Sequence, residues 1–141
     1  MVTGEYENIL NMTDFNTMLR SFQLRPTRQR LQLCEILFNG DHRHLSAEQL
    51  RSEIRDHGSN MSLATIYNTL NQFTEVGLLR EVKLEDGISY FDTNNTHHHH
   101  FYDAATGELI DIPHEAISIN NLPSAPEGKD IERIDVVIRV S

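Results

Sequence analysis

SLATIYNTLNQFTEVGLLREVKLEDGISYFD, residues 62–92, is the stretch that decides the fold. Ser62 is a helix-capping residue, and Leu63, Ile66, Leu70 and Phe73 follow at the spacing of one buried helical stripe. Gly77 suits the left-handed residue that ends a helix. Leu78–Leu84 and Ile88–Asp92 then read as two strands, and Glu85-Asp86-Gly87 reads as their turn, because Asp-Gly is a strong hairpin signal. The helix's other face carries Ala64, Thr65, Asn68, Asn71 and Gln72, with Tyr67 at its edge. A merely solvated helix would be dominated by Lys and Glu, whereas this face offers amides and hydroxyls. Asn and Gln pair with adenine in the major groove, and apolar atoms meet the thymine methyl. The plainer reading is an ordinary polar helix surface.

Upstream, Thr13-Asp14 opens a helical pattern with Phe15, Met18, Leu19 and Phe22 on one face, and Arg25-Pro26 breaks it. Thr27 can cap a second helix with the stripe Leu31, Cys34, Leu37 and Phe38. After a turn at Asn39-Gly40-Asp41, Ser46 and Gln49 have the spacing of a capping box; Ala47, Leu50 and Ile54 then point inward, and His57-Gly58 closes the helix. Helices followed by a hairpin spell a winged helix-turn-helix, in which the second helix of the pair enters the major groove.

The net charge of −9 at first argues against a nucleic-acid partner, but its distribution is uneven. Residues 20–55 hold seven arginines against four carboxylates, and residues 93–141 hold three cations against eight carboxylates. A basic front and an acidic back suit a protein that meets DNA with one surface. No apolar run approaches the ~20 residues that span a bilayer. Met1–Asn11 lacks the basic start and apolar core of a secretory signal. Cys34 is the single cysteine, so no intrachain disulfide and no cysteine zinc cluster is expected. It falls on a buried helical face and reads as a small core residue. The cytoplasm is the simplest compartment.

Behind the hairpin stand four consecutive histidines, His97–His100, near further ligand-capable residues: His42, His44, Asp92, Asp103, Glu108, Asp111 and His114. Imidazole is the commonest metal ligand, and histidine-rich tracts suggest metal binding, although a solvated loop is the bland alternative. Phe101 and Tyr102 follow, then a turn at Ala105-Thr106-Gly107, a strand over Glu108–Ile112 and a short helix over His114–Ile119. Asn120–Lys129 is a loop. Ile131–Val140 reads as the clearest strand, with Ile134, Val136, Ile138 and Val140 on one face and Arg133, Asp135 and Arg139 on the other. Such a unit is thin, and pairing with a second copy would cover it.

These residues resemble the ferric uptake regulator family, over Leu24 to about Ile112. Leu45-Ser-Ala-Glu-Gln-Leu50 is similar to the start of the family's second helix, residues 62–73 to its recognition helix, and 97–100 to its histidine cluster. The resemblance implies that Tyr67 meets thymine methyls, Arg25 enters the minor groove, and Arg30 clamps a phosphate. It also implies that His44, Asp92, His98 and His100 are ligands of the family's regulatory metal site. Asp92 stands for the usual glutamate, and its spacing to the histidines is one residue longer. The family's Cys-x-x-Cys pair for structural zinc reads Asp103-Ala-Ala-Thr106 here, so a tetrathiolate site is not expected. A second metal site of the family would use His97 and His99, for which the sequence after Ile112 offers no convincing partners.

His98-His99-His100 followed by Phe101-Tyr102 is similar to the iron response regulator subgroup, which implies haem as the signal, held by His98, His99 and His100. The expectation is therefore an α+β chain: a winged helix-turn-helix DNA-binding domain over 1–93 and a small α/β dimerisation and sensing domain over 94–141. Ser62, Thr65, Tyr67, Asn68, Asn71, Arg25 and Arg30 would contact a palindromic double-stranded operator. The protein would act as a homodimer away from membranes, regulating iron and haem genes, with haem modulating DNA binding. The competing reading is a regulator of the same fold that senses Mn²⁺, Fe²⁺ or Zn²⁺ through His44, Asp92, His98 and His100. A metalloenzyme is disfavoured, because no Ser-His-Asp set, phosphate loop or His-Glu-x-x-His helix is present.

Overall fold

The computed structural model describes residues 15–84 and 87–141. The expected opening at Thr13-Asp14 and the Glu85-Asp86 part of the hairpin turn lie outside them. The chain is α+β and divides into two compact units, Met1–Asn95 and Thr96–Ser141. Among the described residues, no helix is long and apolar enough to cross a membrane.

In the first unit a helix over residues 15–21 (α1) is followed by α2 (Arg28–Phe38), α3 (Ala47–Asp56) and α4 (Leu63–Glu75). Each cap is legible. Thr27 Oγ1 accepts the Arg30 amide, Ser46 and Gln49 form the full capping box, and Ser62 Oγ accepts the Thr65 amide. The closing ends are equally local. After α4, the Leu78 amide reaches back to the Phe73 carbonyl and the Gly77 amide to Thr74, with Gly77 at φ 86°. Gly58 does the same after α3. These are Schellman closures, which need a residue that tolerates the left-handed region. Gln23 takes that conformation after α1, at φ 62°, without being glycine.

The α4 closure uses the amides of Leu78 and Leu79, so β2 runs only over Arg80–Lys83 rather than from Leu78 to Leu84. β3 (Ser89–Asp92) lies at the sheet centre, antiparallel to β2 and to a short strand the sequence did not suggest, β1 (His44–Leu45). Leu19, Leu33, Leu37, Leu45, Leu50, Ile54, Ile66, Leu70, Phe73, Leu79 and Phe91 share one core. Burying each such side chain contributes ~1.5–3 kcal/mol. The expected stripes are present, with Leu33 and Ile36 more deeply buried than Leu31 and Phe38.

In the second unit β4 (His98–Asp103) is central, antiparallel to β5 (Glu108–Pro113) and parallel to β6 (Val137–Val140). Two expectations need correction. The helix over His114–Ile119 is a single 3₁₀ turn, His114–Ala116. The strand over Ile131–Val140 is confined to its last four residues, all exposed. The reason lies at Val136, whose amide goes to the His99 ring at 3.1 Å instead of a backbone carbonyl, which ends the ladder.

Cys34 is fully buried, and desolvation pushes its thiol up to about 12. Since the thiolate is the reactive form, a thiol reagent at pH 8 should leave the native protein unmodified and label one site per chain only after unfolding, as intact mass would show.

Candidate metal centre and nucleic-acid interface

The second unit turns the histidine run into a strand, so its members alternate between faces. His98, His99 and His100 are all buried, at 4%, 2% and 5% exposure, which rules out the solvated-loop reading. His98 and His100 share a face with Asp111, which lies directly across the ladder from His100. His98 Nε2 and His100 Nε2 stand 3.3 Å and 3.4 Å from the same oxygen, Asp111 Oδ1.

The tautomer makes this arrangement informative. His98 Nδ1 lies 2.7 Å from the Thr96 carbonyl oxygen. A carbonyl only accepts, so Nδ1 carries a hydrogen, and in the neutral ring Nε2 then keeps its lone pair. A lone pair aimed at a carboxylate oxygen is repulsive unless a proton or a metal cation stands between them. A metal-ligating histidine is oriented in the same way, with its other ring nitrogen donating to a carbonyl.

On the opposite face His97, His99 and His114 come together, with His97 and His114 ring centroids 4.3 Å apart. His114 is thus the partner after Ile112 that the sequence did not reveal, because a turn at the end of β5 brings it back. This cluster suits a cation less well. His99 Nδ1 accepts the Val136 amide, so the neutral ring holds its hydrogen on Nε2.

Where the thiolate pair would stand, Asp103–Thr106 enters a closed turn. Asp103 Oδ1 accepts the Ala105 amide at 2.9 Å, and the Gly107 amide donates to the Asp103 carbonyl at 2.7 Å. Side-chain and backbone hydrogen bonds close the turn.

In the first unit β1 and β3 place His44 opposite Asp92. His44 Nε2 lies 3.2 Å from Asp92 Oδ2, and the carboxylate is fully buried. Asp92 Oδ1 also accepts the Asn94 amide at 2.9 Å. The segment entering β1 is anchored from two sides. The Arg43 amide donates to Thr93 Oγ1 at 2.9 Å, and its guanidinium forks onto Glu53 at 2.8 and 2.7 Å.

The exposed face of α4 presents Ala64, Asn68, Asn71 and Gln72, with Thr65 and Tyr67 half-buried. Arg30, half-buried on α2, donates to the Arg25 carbonyl at 2.9 Å and to Gln72 Oε1 at 3.0 Å. Together with Thr27, Thr65 and Asn68 it lines a polar cleft of about 350 Å³. Gln72 therefore orients an arginine. The Ser62 hydroxyl serves the helix, accepting the Thr65 amide and donating to Thr65 Oγ1. Tyr67 donates to Glu48 Oε1, a partner that no sequence signal marked. Arg25 is exposed.

A capped helix with an uncharged outer face and, separately, buried imidazoles set against carboxylates are features in keeping with a metal-responsive regulator of transcription. The sequence profile of the ferric uptake regulator family matches residues 21–138, and the chain belongs to that family. It is 38% identical over 107 residues to the ferric uptake regulation protein of Shigella flexneri, covering 75% of this chain and 72% of that one. The Vibrio cholerae ferric uptake regulator has a similar fold, with a TM-score of 0.68 at 24% identity over 89% of this chain and 97% of that one. The Pseudomonas aeruginosa ferric uptake regulator, solved with manganese, gives a TM-score of 0.68 at 25% identity over 89% and 96%.

Removing His44 should leave the buried Asp92 carboxylate one partner short. In metal-free protein His44→Ala is expected to cost about 1–3 kcal/mol, read as a lower urea midpoint at unchanged slope.

Proposed function

We propose that this chain is a homodimeric, winged-helix repressor of iron genes whose signal is a divalent cation rather than haem. The supporting observation is the convergence of His98 Nε2, His100 Nε2 and Asp111 Oδ1 on one strand face, the two rings buried and the carboxylate exposed, while His98 Nδ1 is held by a carbonyl. The residues of the second unit that would hold the cation are His98, His100 and Asp111. Nitrogen and oxygen donors of this kind suit Mn²⁺, Fe²⁺ and Zn²⁺ alike. Bound there, the cation supplies the positive charge that the acceptors require. Manganese in the Pseudomonas relative is in keeping with this.

Haem fits less well for a geometric reason. An axial imidazole needs an open face for the porphyrin, but His98, His99 and His100 are buried and alternate across β4. The subgroup that implied haem has no other support in the fold.

On this reading residues 1–93 bind DNA and 94–141 dimerise and sense, in the cytoplasm. Tyr67, Thr65, Asn68 and Asn71 face base edges, Arg25 enters the minor groove, Arg30 clamps a phosphate, and Ser62 caps the reading helix. Ile110, Phe101 and Ile138 form one row across the second sheet, 44%, 36% and 38% exposed. A second copy would cover that row, and a two-fold dimer would read a palindrome.

Full-length protein should be stripped by chelation and titrated anaerobically with Mn²⁺, Fe²⁺ or Zn²⁺ against a duplex selected from a random library. The cation should tighten binding by roughly 5- to 150-fold. His98→Ala and Asp111→Ala should each remove the response. If haem instead gave both a Soret shift and the DNA response, each lost in a His98/His99/His100 triple alanine variant, the haem reading would replace this one.

Tyr67→Ala should lower discrimination between duplexes. Arg30→Ala should weaken all duplexes alike and reduce the salt slope by about one. Phe101→Lys should sediment as a monomer at micromolar concentration where the parent is a dimer.

A further inference from the structure

Tyr67 is the one aromatic side chain on the outer face of α4, and its hydroxyl is already engaged. Oη donates to Glu48 Oε1 at 3.2 Å. Glu48 stands in the first turn of α3, where the helix amides favour a carboxylate. Partial burial, the charge of Glu48, its hydrogen bond and the charge of Glu81 all raise the phenol's pKa, so the hydroxyl keeps its proton and remains a donor. A free phenol would rotate its ring and present either the hydroxyl or the carbon edge to a base. A tethered one presents only what the tether leaves exposed.

We propose that Glu48 is a positioning residue for sequence readout, holding the Tyr67 ring so that its apolar edge, not its hydroxyl, faces the bases. This rests on the reading of α4 as the helix that enters DNA. The apolar edge is the part of the ring that distinguishes a thymine methyl from other groove edges. Glu48 is exposed and contacts Tyr67 from a neighbouring helix. Its role is therefore to restrict the reader, while its charge repels phosphates regardless of sequence. The two effects separate chemically. Glutamine keeps the acceptor oxygen and loses the charge, whereas alanine loses both.

The test uses the full-length protein with saturating Mn²⁺, a 30-bp duplex that the parent selects from a random library, and a shuffled duplex of the same composition. The readout is the ratio of the two dissociation constants at fixed salt. Glu48→Ala should lower this ratio by about fivefold, the effect of one hydrogen bond of ordinary net strength. Tyr67→Phe should lower it similarly, and the double variant should fall no further, since both changes cut the same tether. Glu48→Gln should keep the parent's ratio while tightening both duplexes alike. The inference is overturned if Glu48→Ala retains the ratio, if its effect adds in full to that of Tyr67→Phe, or if Glu48→Gln loses the ratio as far as Glu48→Ala does. Tyr67→Ala is the separate control on the underlying reading. If it leaves the ratio unchanged, α4 does not read bases and both ideas fall. If it lowers the ratio while Glu48→Ala does not, only the positioning role of Glu48 falls.

Discussion

The Nε2 atoms of His98 and His100 each lie within 3.4 Å of one carboxylate oxygen, Asp111 Oδ1, on one face of β4 and β5. In water such a cluster would relax by rotating its side chains. Here the rings are buried, and His98 is pinned through Nδ1 to Thr96. The strand thus presents two imidazole nitrogens to one carboxylate oxygen, a donor set that on the proposed reading would hold a divalent cation. Much of the second unit is arranged around this set. The β4–β5 ladder sets Asp111 opposite His100, and the closed turn from Asp103 holds that register.

The first unit meets a different constraint, the placement of a polar pair at the end of a small sheet. His44 and Asp92 face each other because β1 pairs with β3, and β1 exists because Arg43 is held at its amide by Thr93 and at its guanidinium by Glu53. The same α3 that supplies Glu53 also supplies Glu48 to Tyr67. One helix, fixed by a capping box at one end and a glycine closure at the other, therefore serves both the histidine–carboxylate pair and the outer face of α4. Its two glutamates lie five residues apart and point to different tasks.

The helical half was legible because its signals are local. Thr27, Ser46 and Ser62 cap as their spacing implies, and Gly58 and Gly77 end α3 and α4 through bonds that span six residues at most. What escaped the sequence was non-local. β1 needs a partner 48 residues away, from His44 to Asp92. The histidine run was recognisable as ligand chemistry, but its strand character was hidden. Four identical residues carry no alternation, and only pairing with Glu108–Pro113 sorts His98, His99 and His100 onto two faces. His114 escaped for the same reason. The apolar alternation over 131–140 misled in the other direction. Periodicity shows what a strand would bury, but not whether a partner is available, and the His99 ring takes the amide that a longer ladder would have used.

The two histidine faces of β4 also explain why the run need not be one site. A cation on the His98/His100 face leaves His99 where it is, tying β4 to the segment that enters β6 through the Val136 amide. Haem bound through the triplet would have to recruit His99 as well. That would break the bond to Val136 and turn a buried ring outward against the direction of its strand. The cost is a lost hydrogen bond plus a rebuilt sheet edge, whereas a divalent ion asks only that two lone pairs and a carboxylate stay where the fold has put them. On the proposed reading the same strand would separate a sensing face from a structural one, and alternation of side chains along β4 is the physical reason the two would not interfere.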